Sequence, residues 1–190
     1  GMMHRPPLVV SPYDAELFGH WWYEGPWFID FFFRKSWHDQ HTYQMTHLAD
    51  YLRAEPTQQV CRPSQSSWGY KGFHEYWLNE TNAWVYPHLH KGAERMIDLA
   101  RMEPADELQW RALNQAAREL LLAQSSDWAF IMRTGTMVPY AIRRTRSHLV
   151  RFHKLYEELK EGKVDSGWLE KIESMDNIFP SINYRTYRPL

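Results

Sequence analysis

The sequence predicts a mainly α-helical bundle with a short strand or loop in front of it. Apolar residues recur at helical spacing over the second half of the chain, between helix start and stop signals. A proline-bounded apolar run stands near the beginning, as in a strand or its approach. The 190 residues are 44% hydrophobic with a formal net charge of −1. These values suit one domain with a sizeable core and indicate no overall attraction to nucleic acid or anionic membranes.

The first elements are a strand, two helices and a loop. Residues 6–12 form the proline-bounded run, which we interpret as a strand that has no partner of its own. Pro26 favours the start of a helix, and residues 27–33 are apolar on nearly all sides, so we expect this helix to be buried. A second helix is predicted at 42–53, and 55–73 has the Pro, Gln, Ser and Gly content of a loop.

Four helices are predicted in the second half of the chain. Gly135 and Gly162 are stop signals, and Thr136 is the expected N-cap of a long helix with Pro139 in its first turn. The predicted helices cover residues 87–100, 108–131, 137–161 and 166–174, and an extended tail follows at 178–190.

Aromatic side chains make up 16% of the chain, with 10 tryptophans and 11 tyrosines, while the mean hydropathy is −0.63. In such a polar chain, aromatic residues either fill a core or form platforms on which flat ligands stack. Core packing is expected for most of them. Cys61 is the single cysteine, so no intramolecular disulfide is possible, which favours a reducing compartment and predicts a cytoplasmic protein. No run approaches the roughly 20 apolar residues of a membrane span.

Residues 11–26, with the sequence SPYDAELFGHWWYEGP, follow the predicted strand directly. Residues at the ends of strands carry the chemistry of barrel enzymes. Asp14 and Glu16 would lie on one face of an extended segment, where two carboxylates could form a catalytic pair. An aspartate at a strand end more often caps the next helix or pairs with an arginine, so spacing alone leaves both readings open.

A second segment, residues 67–84, contains three tryptophans. Trp68 stands between Ser67 and Gly69 in a predicted loop, where a large aromatic ring has few neighbours and is a candidate ligand platform. Trp77 and Trp84 are seven residues apart, which is also the spacing of a stripe on the buried face of a helix.

Both segments resemble signature regions of glycoside hydrolase family 57. The run YDAELFGHWW (13–22) is similar to the fourth region, and the stretch from SWG to WLNE (67–80) to the fifth. The helical remainder resembles the C-terminal domain of that family's 1,4-α-glucan branching enzymes, once catalogued as domain of unknown function 1957. The matching runs are 84–90, 116–128, 134–136 and 176–180.

The resemblance implies two domains. Residues 1–25 would be the last part of a (β/α)7-type barrel, and 26–190 a helical C-terminal domain. Family 57 enzymes retain the anomeric configuration with two carboxyl groups. The resemblance assigns Asp14 as the acid/base, whereas the nucleophile is a glutamate of a region that this sequence does not contain. We therefore expect the fragment alone to be inactive, and we expect Glu16 to be structural.

The resemblance also implies a substrate, an α-1,4-glucan such as amylose or glycogen, into which α-1,6 branches are introduced. Trp68 and Trp77 would stack on glucose units. Asp127 belongs either to the start of a helix capped around Ser126 or to the substrate site, and the resemblance favours the substrate. His20, Trp21 and Trp22 would line or support the site, in an order that the sequence leaves open.

No cofactor or metal is expected, because the histidine pairs 38/41 and 88/90 lack a Cys partner or a His-Glu motif. The basic stretch 143–154 is predicted to be a solvated face or a docking surface rather than a nucleic-acid site. The expected partners are the missing barrel and, because residues 27–33 would normally face it, further copies of the chain. The alternative functions are a non-catalytic α-glucan-binding module and a family 57 amylase or 4-α-glucanotransferase.

Overall fold

The computed structural model describes residues 4–189, and within them the chain forms helices, turns and loops. The mainly α-helical prediction is confirmed. Contacts divide the chain into two compact units, Gly1–Pro63 and Ser64–Leu190. The sequence instead places a domain boundary after residue 25, which stays a prediction about the longer architecture that the resemblance implies. None of the described helices combines the length and the apolar composition needed to cross a membrane.

The predicted strand at residues 6–12 is wrong for the described structure, where this run is irregular. A single run cannot form a ladder, because its backbone donors and acceptors need a neighbouring strand and residues 4–189 offer none. The run is instead tied to the segment after the second helix. Arg5 donates to the Thr57 carbonyl, to which Nη1 lies 2.5 Å away, and the Tyr51 hydroxyl donates to the Pro6 carbonyl at 3.1 Å.

Helix α1 (Gly25–His38) begins where the sequence predicts, with Pro26 in its first turn. The expectation that it is buried is wrong. Its large side chains are exposed, including Phe31 (62%) and Trp37 (76%), and its buried residues are Gly25 and Ser36. The composition of a helix provides apolar surface, but another segment has to cover that surface. In the first unit only short segments contact α1.

Helix α2 (Leu48–Ala54) starts later than the predicted 42–53. The Gln40 side-chain oxygen accepts hydrogen bonds from the amides of Thr42 and Tyr43, at 2.7 and 3.0 Å, which holds these residues in a turn. His47 is the N-cap, and its ring nitrogen accepts from the Asp50 amide at 3.4 Å. The early part of the predicted helix is therefore replaced by side-chain-stabilised turns.

The second unit contains five α-helices among its described residues. They are α3 (Val85–Leu99), α4 (Glu107–Ala123), α5 (Ser126–Thr134), α6 (Val138–Glu161) and α7 (Ser166–Met175). α4 contacts α3, α6 and α7, and α6 also contacts α3 and α5. The main core lies between these helices, with Met96, Leu113 and Phe152 fully buried. A smaller cluster around Val85, Met132 and Ala141 joins α3, α5 and α6.

The stretch predicted as one helix at 108–131 is two helices, α4 and α5. The backbone turns at Ser125, and the Trp128 indole N–H donates to the Leu122 carbonyl at 2.7 Å, which satisfies an acceptor at the end of α4. Gly135 ends α5 and Gly162 ends α6, both in the left-handed conformation, as predicted. The N-cap of α6 is Met137 rather than Thr136, a shift of one residue.

The predicted extended tail is wrong in one important part. A 3-10 helix at Tyr184–Tyr187 inserts the Tyr184 ring into the main core, where it is fully buried. The Tyr184 amide donates to the Asn114 side chain at 2.9 Å, and the Tyr184 hydroxyl donates to the Met102 carbonyl at 2.9 Å. The Tyr184–Tyr187 turn is thus an integral part of the bundle.

Candidate functional site

Asp14 lies at the start of a short 3-10 helix, Ala15–Phe18, with its side chain exposed. The Asp14 carbonyl accepts a hydrogen bond from the Leu17 amide at 3.1 Å, but the carboxylate makes no capping bond. Glu16 is also exposed, and its carbonyl accepts from the amides of Gly19 and His20 at 2.9 and 3.0 Å. The capping alternative for Asp14 is therefore not realised, and the carboxylate is accessible to a ligand.

His20, Trp21 and Trp22 lie in different surroundings. The Trp22 ring packs between Phe18 and Phe28, with centroid distances of 5.5 and 4.8 Å. Trp21 is 75% exposed and touches the His20 ring edge-on, with centroids 5.5 Å apart. Trp22 thus supports the segment, while Trp21 and His20 present accessible surface.

Gly25 allows the start of α1 to lie against the Phe18 backbone. A Cβ at this position would lie 2.9 Å from the Phe18 Cα, closer than real Cβ contacts, and the obstacle is backbone. The start of α1 can therefore approach the Asp14 segment this closely because residue 25 has no side chain.

Trp68 is part of an aromatic cluster that we call the platform cluster, formed by Trp68, Tyr76, Trp77 and Phe130. The Trp68 centroid lies 5.7 Å from Tyr76, 5.9 Å from Trp77 and 5.8 Å from Phe130. These separations are in the range of favourable aromatic pairs. Trp68 itself remains 61% exposed. One large indole is thus accessible while three other rings support it.

Trp77 is less exposed than Trp68 and has a hydrogen-bonded position. Its indole N–H donates to the Trp68 carbonyl at 3.1 Å, which ties the backbone of the loop to the ring beneath it. Trp77 and Trp84 do not form a shared helical stripe, since Trp77 follows a short 3-10 helix at His74–Tyr76, before α3. Trp84 instead packs against the smaller core cluster.

Gly69 allows Trp68 and Tyr76 to meet. Its φ angle is 115°, and a Cβ would lie 2.2 Å from Cδ2 of the Tyr76 ring. Both the backbone conformation and the contact exclude a side chain at this position. Tyr76 and Phe130 were not predicted from the sequence, because Phe130 is contributed by α5, more than fifty residues after the loop.

Asp127 is exposed in the first turn of α5. The Ser125 hydroxyl lies 3.4 Å from the Asp127 carboxylate, and Ser125, not Ser126, is the N-cap residue. A carboxylate in the first turn is stabilised by the helix dipole. Asp127 and Phe130 are three residues apart and hence neighbours on the surface of α5, so the carboxylate stands next to a member of the platform cluster.

A second polar group, which the sequence did not predict, is buried between α4, α6 and the segment after α7. His148 and Glu119 are both fully buried, and His148 Nδ1 lies 2.6 Å from Glu119 Oε2. At this distance the ring nitrogen and the carboxyl oxygen share a hydrogen bond. Gln115 Nε2 donates to Glu119 at 2.9 Å and to the Asp176 carbonyl at 3.2 Å. The predicted solvated face at 143–154 is thus partly wrong, because His148 points inward.

Glu119, His148 and Asp176 place one ligand atom each within 4.8 Å of one another, which is a possible metal-binding geometry. Arg151 hydrogen-bonds the Asp176 carboxylate, and Arg144 lies 3.7 Å from it. These guanidinium groups already supply positive charge beside the Asp176 carboxylate, so we interpret the group as a structural network. Two of its nitrogen atoms, His148 Nε2 and Arg144 Nε, are buried without a hydrogen-bond partner in the described structure. Burial raises the pKa of the Glu119 carboxyl, against the opposing effect of hydrogen bonds from His148 and Gln115.

Comparison with known proteins gives a family. The family model described as 1,4-alpha-glucan branching enzyme, C-terminal, matches residues 88–187, which is more than half of the chain. The chain belongs to this family. The branching-enzyme C-terminal domain thus extends from α3 to the buried Tyr184 turn, and the prediction of this domain from the helical remainder of the sequence is confirmed.

Individual relatives extend the likeness beyond the branching-enzyme domain. The 1,4-alpha-glucan branching enzyme of Thermococcus kodakarensis is 36% identical over 181 residues, which cover 90% of this chain and 26% of that protein. The alpha-amylase AmyC of Thermotoga maritima is 43% identical with a TM-score of 0.76, covering 99% of this chain and 35% of that one. The GH57-type branching enzyme of Pyrococcus horikoshii is 34% identical with a TM-score of 0.79, covering 95% and 35%.

The chain therefore spans about a quarter to a third of the length of these relatives. The family model begins at residue 88, so Asp14, Trp68 and Trp77 lie before the matched range, and Asp127 lies within it. The longer matches, which cover at least nine tenths of this chain, reach the earlier segments as well.

Proposed function

We propose that this chain acts as the C-terminal part of a family 57 1,4-α-glucan branching enzyme and that it contributes Asp14 and an aromatic glucan surface. One observation carries the proposal: in a chain of this family, an exposed Trp68 is supported by three other aromatic rings. Family membership and the signature segments point to the same substrate, an α-1,4-glucan.

Trp68 would bind the glucan by stacking. The faces of an indole complement the apolar C–H face of a glucose ring. Because Tyr76, Trp77 and Phe130 restrict the orientation of Trp68 before binding, less conformational entropy is lost when the sugar docks. Trp77, whose N–H is already bonded to the Trp68 carbonyl, would offer the edge of its ring and hold the loop. Asp127 would accept hydrogen bonds from sugar hydroxyls beside Phe130.

Asp14 would serve as the acid and then the base of a double displacement. In the first step, its proton passes to the glycosidic oxygen as a glutamate of the barrel attacks the anomeric carbon and the C–O bond breaks. In the second step, the Asp14 carboxylate takes the proton of an acceptor 6-hydroxyl, whose oxygen displaces the glutamate. The accessible carboxylate of Asp14, which makes no capping bond, suits both transfers.

His20 and Trp21 would line the same segment, and Trp22 would support it by packing between Phe18 and Phe28. Transfer to a sugar hydroxyl requires that water be kept from the glycosyl-enzyme intermediate. Aromatic surface such as Trp21 supplies that exclusion, because it gives water no hydrogen-bonding partner.

The glucan-binding proposal is tested with the chain itself by affinity electrophoresis in gels that contain amylopectin. We expect retardation of the chain, lost in Trp68→Ala and retained in Trp37→Ala, which removes a tryptophan outside the platform cluster that is even more exposed (76% against 61%). Absence of retardation in the unaltered chain, or equal loss in both variants, would refute glucan binding at Trp68.

The role of Asp14 is tested in the complete enzyme, in which this chain is joined to its barrel. Asp14→Asn is expected to abolish branch formation while thermal unfolding stays unchanged, since the Asp14 side chain makes no capping bond. Glu16→Gln is the matched control and should retain activity. Substantial branching by Asp14→Asn would remove Asp14 from its proposed role.

A hydrolase is the second candidate function. The identity of 43% to the alpha-amylase AmyC, over almost the whole chain, favours it. Product analysis of the complete enzyme on amylose separates the two. New α-1,6 linkages without new reducing ends indicate a branching enzyme, whereas new reducing ends alone indicate an amylase.

We also propose a reducing cellular compartment and self-association of the isolated chain. Cys61, the single cysteine, is free and exposed, which suits a cytoplasmic protein. Phe31 and Trp37 belong to a contiguous set of exposed aromatic residues on α1, and apolar surface of this kind promotes association. Size-exclusion chromatography that shows a monomer at high concentration would contradict the association.

A further inference from the structure

The turn before α3 contains a buried asparagine that has no part in the acid/base or stacking chemistry. Asn82 is fully buried, although it lies in a loop between the His74–Tyr76 turn and α3. Buried amides are retained when their hydrogen bonds are satisfied, and they then fix the segments that they join.

The Asn82 amide group makes three hydrogen bonds. Its Nδ2 donates to the Tyr76 carbonyl at 3.0 Å and to the Ala129 carbonyl at 3.1 Å. Its Oδ1 accepts from the Asn79 amide at 2.9 Å. Both hydrogens of the amide and one lone pair of its oxygen are thus used. All three partners are backbone groups: those of Tyr76 and Asn79 precede α3, and that of Ala129 belongs to α5.

Asn82 joins two carbonyls, one from a member of the platform cluster and one from the residue before another member. Tyr76 is itself a member, and Ala129 directly precedes Phe130. The Tyr76 and Phe130 rings lie 5.4 Å apart, and each lies within 6 Å of Trp68. We infer that Asn82 is a positioning residue for Trp68: its buried amide holds the Tyr76 backbone against the α5 backbone, and this contact fixes the rings on which Trp68 rests.

The other polar contacts between residues 74–84 and α5 are weaker. Arg133 Nη2 lies 2.9 Å from Glu75 Oε1, but both side chains are substantially exposed, and exposed ion pairs contribute little to stability. The Thr81 hydroxyl lies 3.4 Å from the Met132 carbonyl, near the upper limit for a hydrogen bond. Asn82 is therefore the buried, well-formed connection, and the surface pair is a natural control.

The inference rests on the proposed function only where it concerns glucan affinity, because the effect on the Trp68 ring is independent of any ligand. A site works when its contacting groups are held to within about 0.5 Å by residues behind them. Loss of the Asn82 side-chain amide leaves the Tyr76 carbonyl and the Asn79 N–H without this partner and removes the link to the Ala129 carbonyl, so the loop shifts relative to α5. Trp68 then samples several orientations and binds glucan more weakly.

The experiment uses the whole chain with its tryptophans replaced by 5-fluorotryptophan, so that fluorine NMR reports each indole separately. Trp68→Phe and Trp110→Phe assign two of the resonances. We expect Asn82→Ala to shift and broaden the Trp68 resonance and to leave the Trp110 resonance unchanged. Titration with maltoheptaose is expected to give about tenfold weaker binding than in the unaltered chain, since displacement of a contacting group by about 1 Å has effects of this size or larger.

Asn114→Ala is the matched control. Asn114 is also a buried asparagine, but it accepts from the Tyr184 amide in the main core, where the Trp110 ring packs against Tyr184 with centroids 5.4 Å apart. We expect the reverse pattern, with the Trp110 resonance shifted and the Trp68 resonance and maltoheptaose affinity unchanged. Glu75→Gln, which breaks the exposed pair, should leave the Trp68 resonance and the affinity within twofold of the unaltered chain.

Asn82→Ser covers the case in which Asn82→Ala does not fold. A serine hydroxyl can donate to one of the two carbonyls, so the displacement of the Trp68 resonance should be intermediate. An unchanged Trp68 resonance in a folded Asn82 variant, or an equal change in Asn114→Ala, would overturn the inference. An unaltered chain that does not bind maltoheptaose would refute the proposed function, and the Trp68 resonance would still decide whether Asn82 positions the ring.

Discussion

Helices α1 and α4 are both well supplied with apolar residues, yet one lies exposed and the other forms the centre of the core. α4 buries ten of its 17 residues, and four of these ten are polar or charged. In α1 the buried residues are Gly25 and Ser36, while its phenylalanines and tryptophans face outward. The more hydrophobic helix is thus the less buried one.

The difference teaches that composition sets how much surface a helix could bury, and that neighbours decide how much it does bury. α4 contacts α3, α6, α7 and the Tyr184 turn, so it is enclosed by partners. Even charged side chains are accommodated there, because Glu119 meets His148 and Arg118 meets the carbonyls of residues 178 and 179. α1 has contacts with the preceding 3-10 helix, which covers little of it.

The largest expected difference between the two helices appears when one large side chain is truncated in each. Leu113→Ala in α4 should lower the free energy of unfolding by about 2–5 kcal/mol, because it opens a cavity in a filled core. Phe31→Ala in α1 should change it by no more than about 0.5 kcal/mol, because an exposed ring loses few contacts. Urea denaturation followed by circular dichroism measures both. Similar losses in the two variants would contradict the burial difference.

A smaller effect is expected at the residue where α1 is tightly packed. Gly25→Ala places a methyl group against the Phe18 backbone and should destabilise the start of α1 by about 1–3 kcal/mol. Hydrogen exchange of the α1 amides measures this local loss. Gly19→Ala is the control, because its Cβ would lie at an ordinary 3.5 Å from the Glu16 carbonyl oxygen. If both variants exchange alike, the close approach at Gly25 is not limiting.

The smallest effect concerns the charged interior of α4 and its dependence on pH. The pKa of the Glu119 carboxyl is raised above its ordinary value of 4.5 by burial, so the folded chain binds this proton more tightly than the unfolded chain. Its contribution to stability is therefore full below about pH 4.5 and is lost as pH rises through the folded pKa. Glu119→Gln lacks this group, so the stability of the unaltered chain minus that of the variant should fall with rising pH.

Urea denaturation at several pH values above 4.5 measures that difference, and Glu94→Gln, at an exposed position of α3, should leave the pH dependence unchanged. Parallel curves for the unaltered chain and Glu119→Gln would show that His148 and Gln115 compensate fully for burial.

Much of the fold could be predicted from the sequence, because local signals carry it. Pro26 marks a helix start because its φ angle is fixed, and Gly135 and Gly162 mark helix ends because glycine adopts the left-handed conformation without strain. The structure has helix ends at all three residues. The branching-enzyme C-terminal domain was predicted from contiguous runs in the helical remainder and is confirmed. Asp14, Trp68, Trp77 and Asp127 stay predictions as site residues, together with His20, Trp21 and Trp22. The structure adds where their side chains lie, not what they bind.

What the sequence alone could not supply are contacts between residues far apart in the chain. Phe130 supports Trp68 from α5, and Asn82 joins its loop to the same helix across 47 residues. Glu119, His148 and Asp176 come from three separate segments, and none has a local motif. The exposure of α1 was not predicted either. The composition of α1 predicts burial, but it does not show whether another segment covers the helix.

The sequence by itself determined the helical class, the helix-ending glycines, the family and the short segments that carry Asp14 and Trp68. Each of these depends on a residue's own backbone preference or on a pattern among neighbours in the chain. Only the tertiary structure decided that Tyr184 lies in the core, that His148 points inward and that Asn82 holds the loop beneath Trp68. Each of these depends on packing between distant segments, where a hydrogen bond or a cavity exists only after the chain has folded.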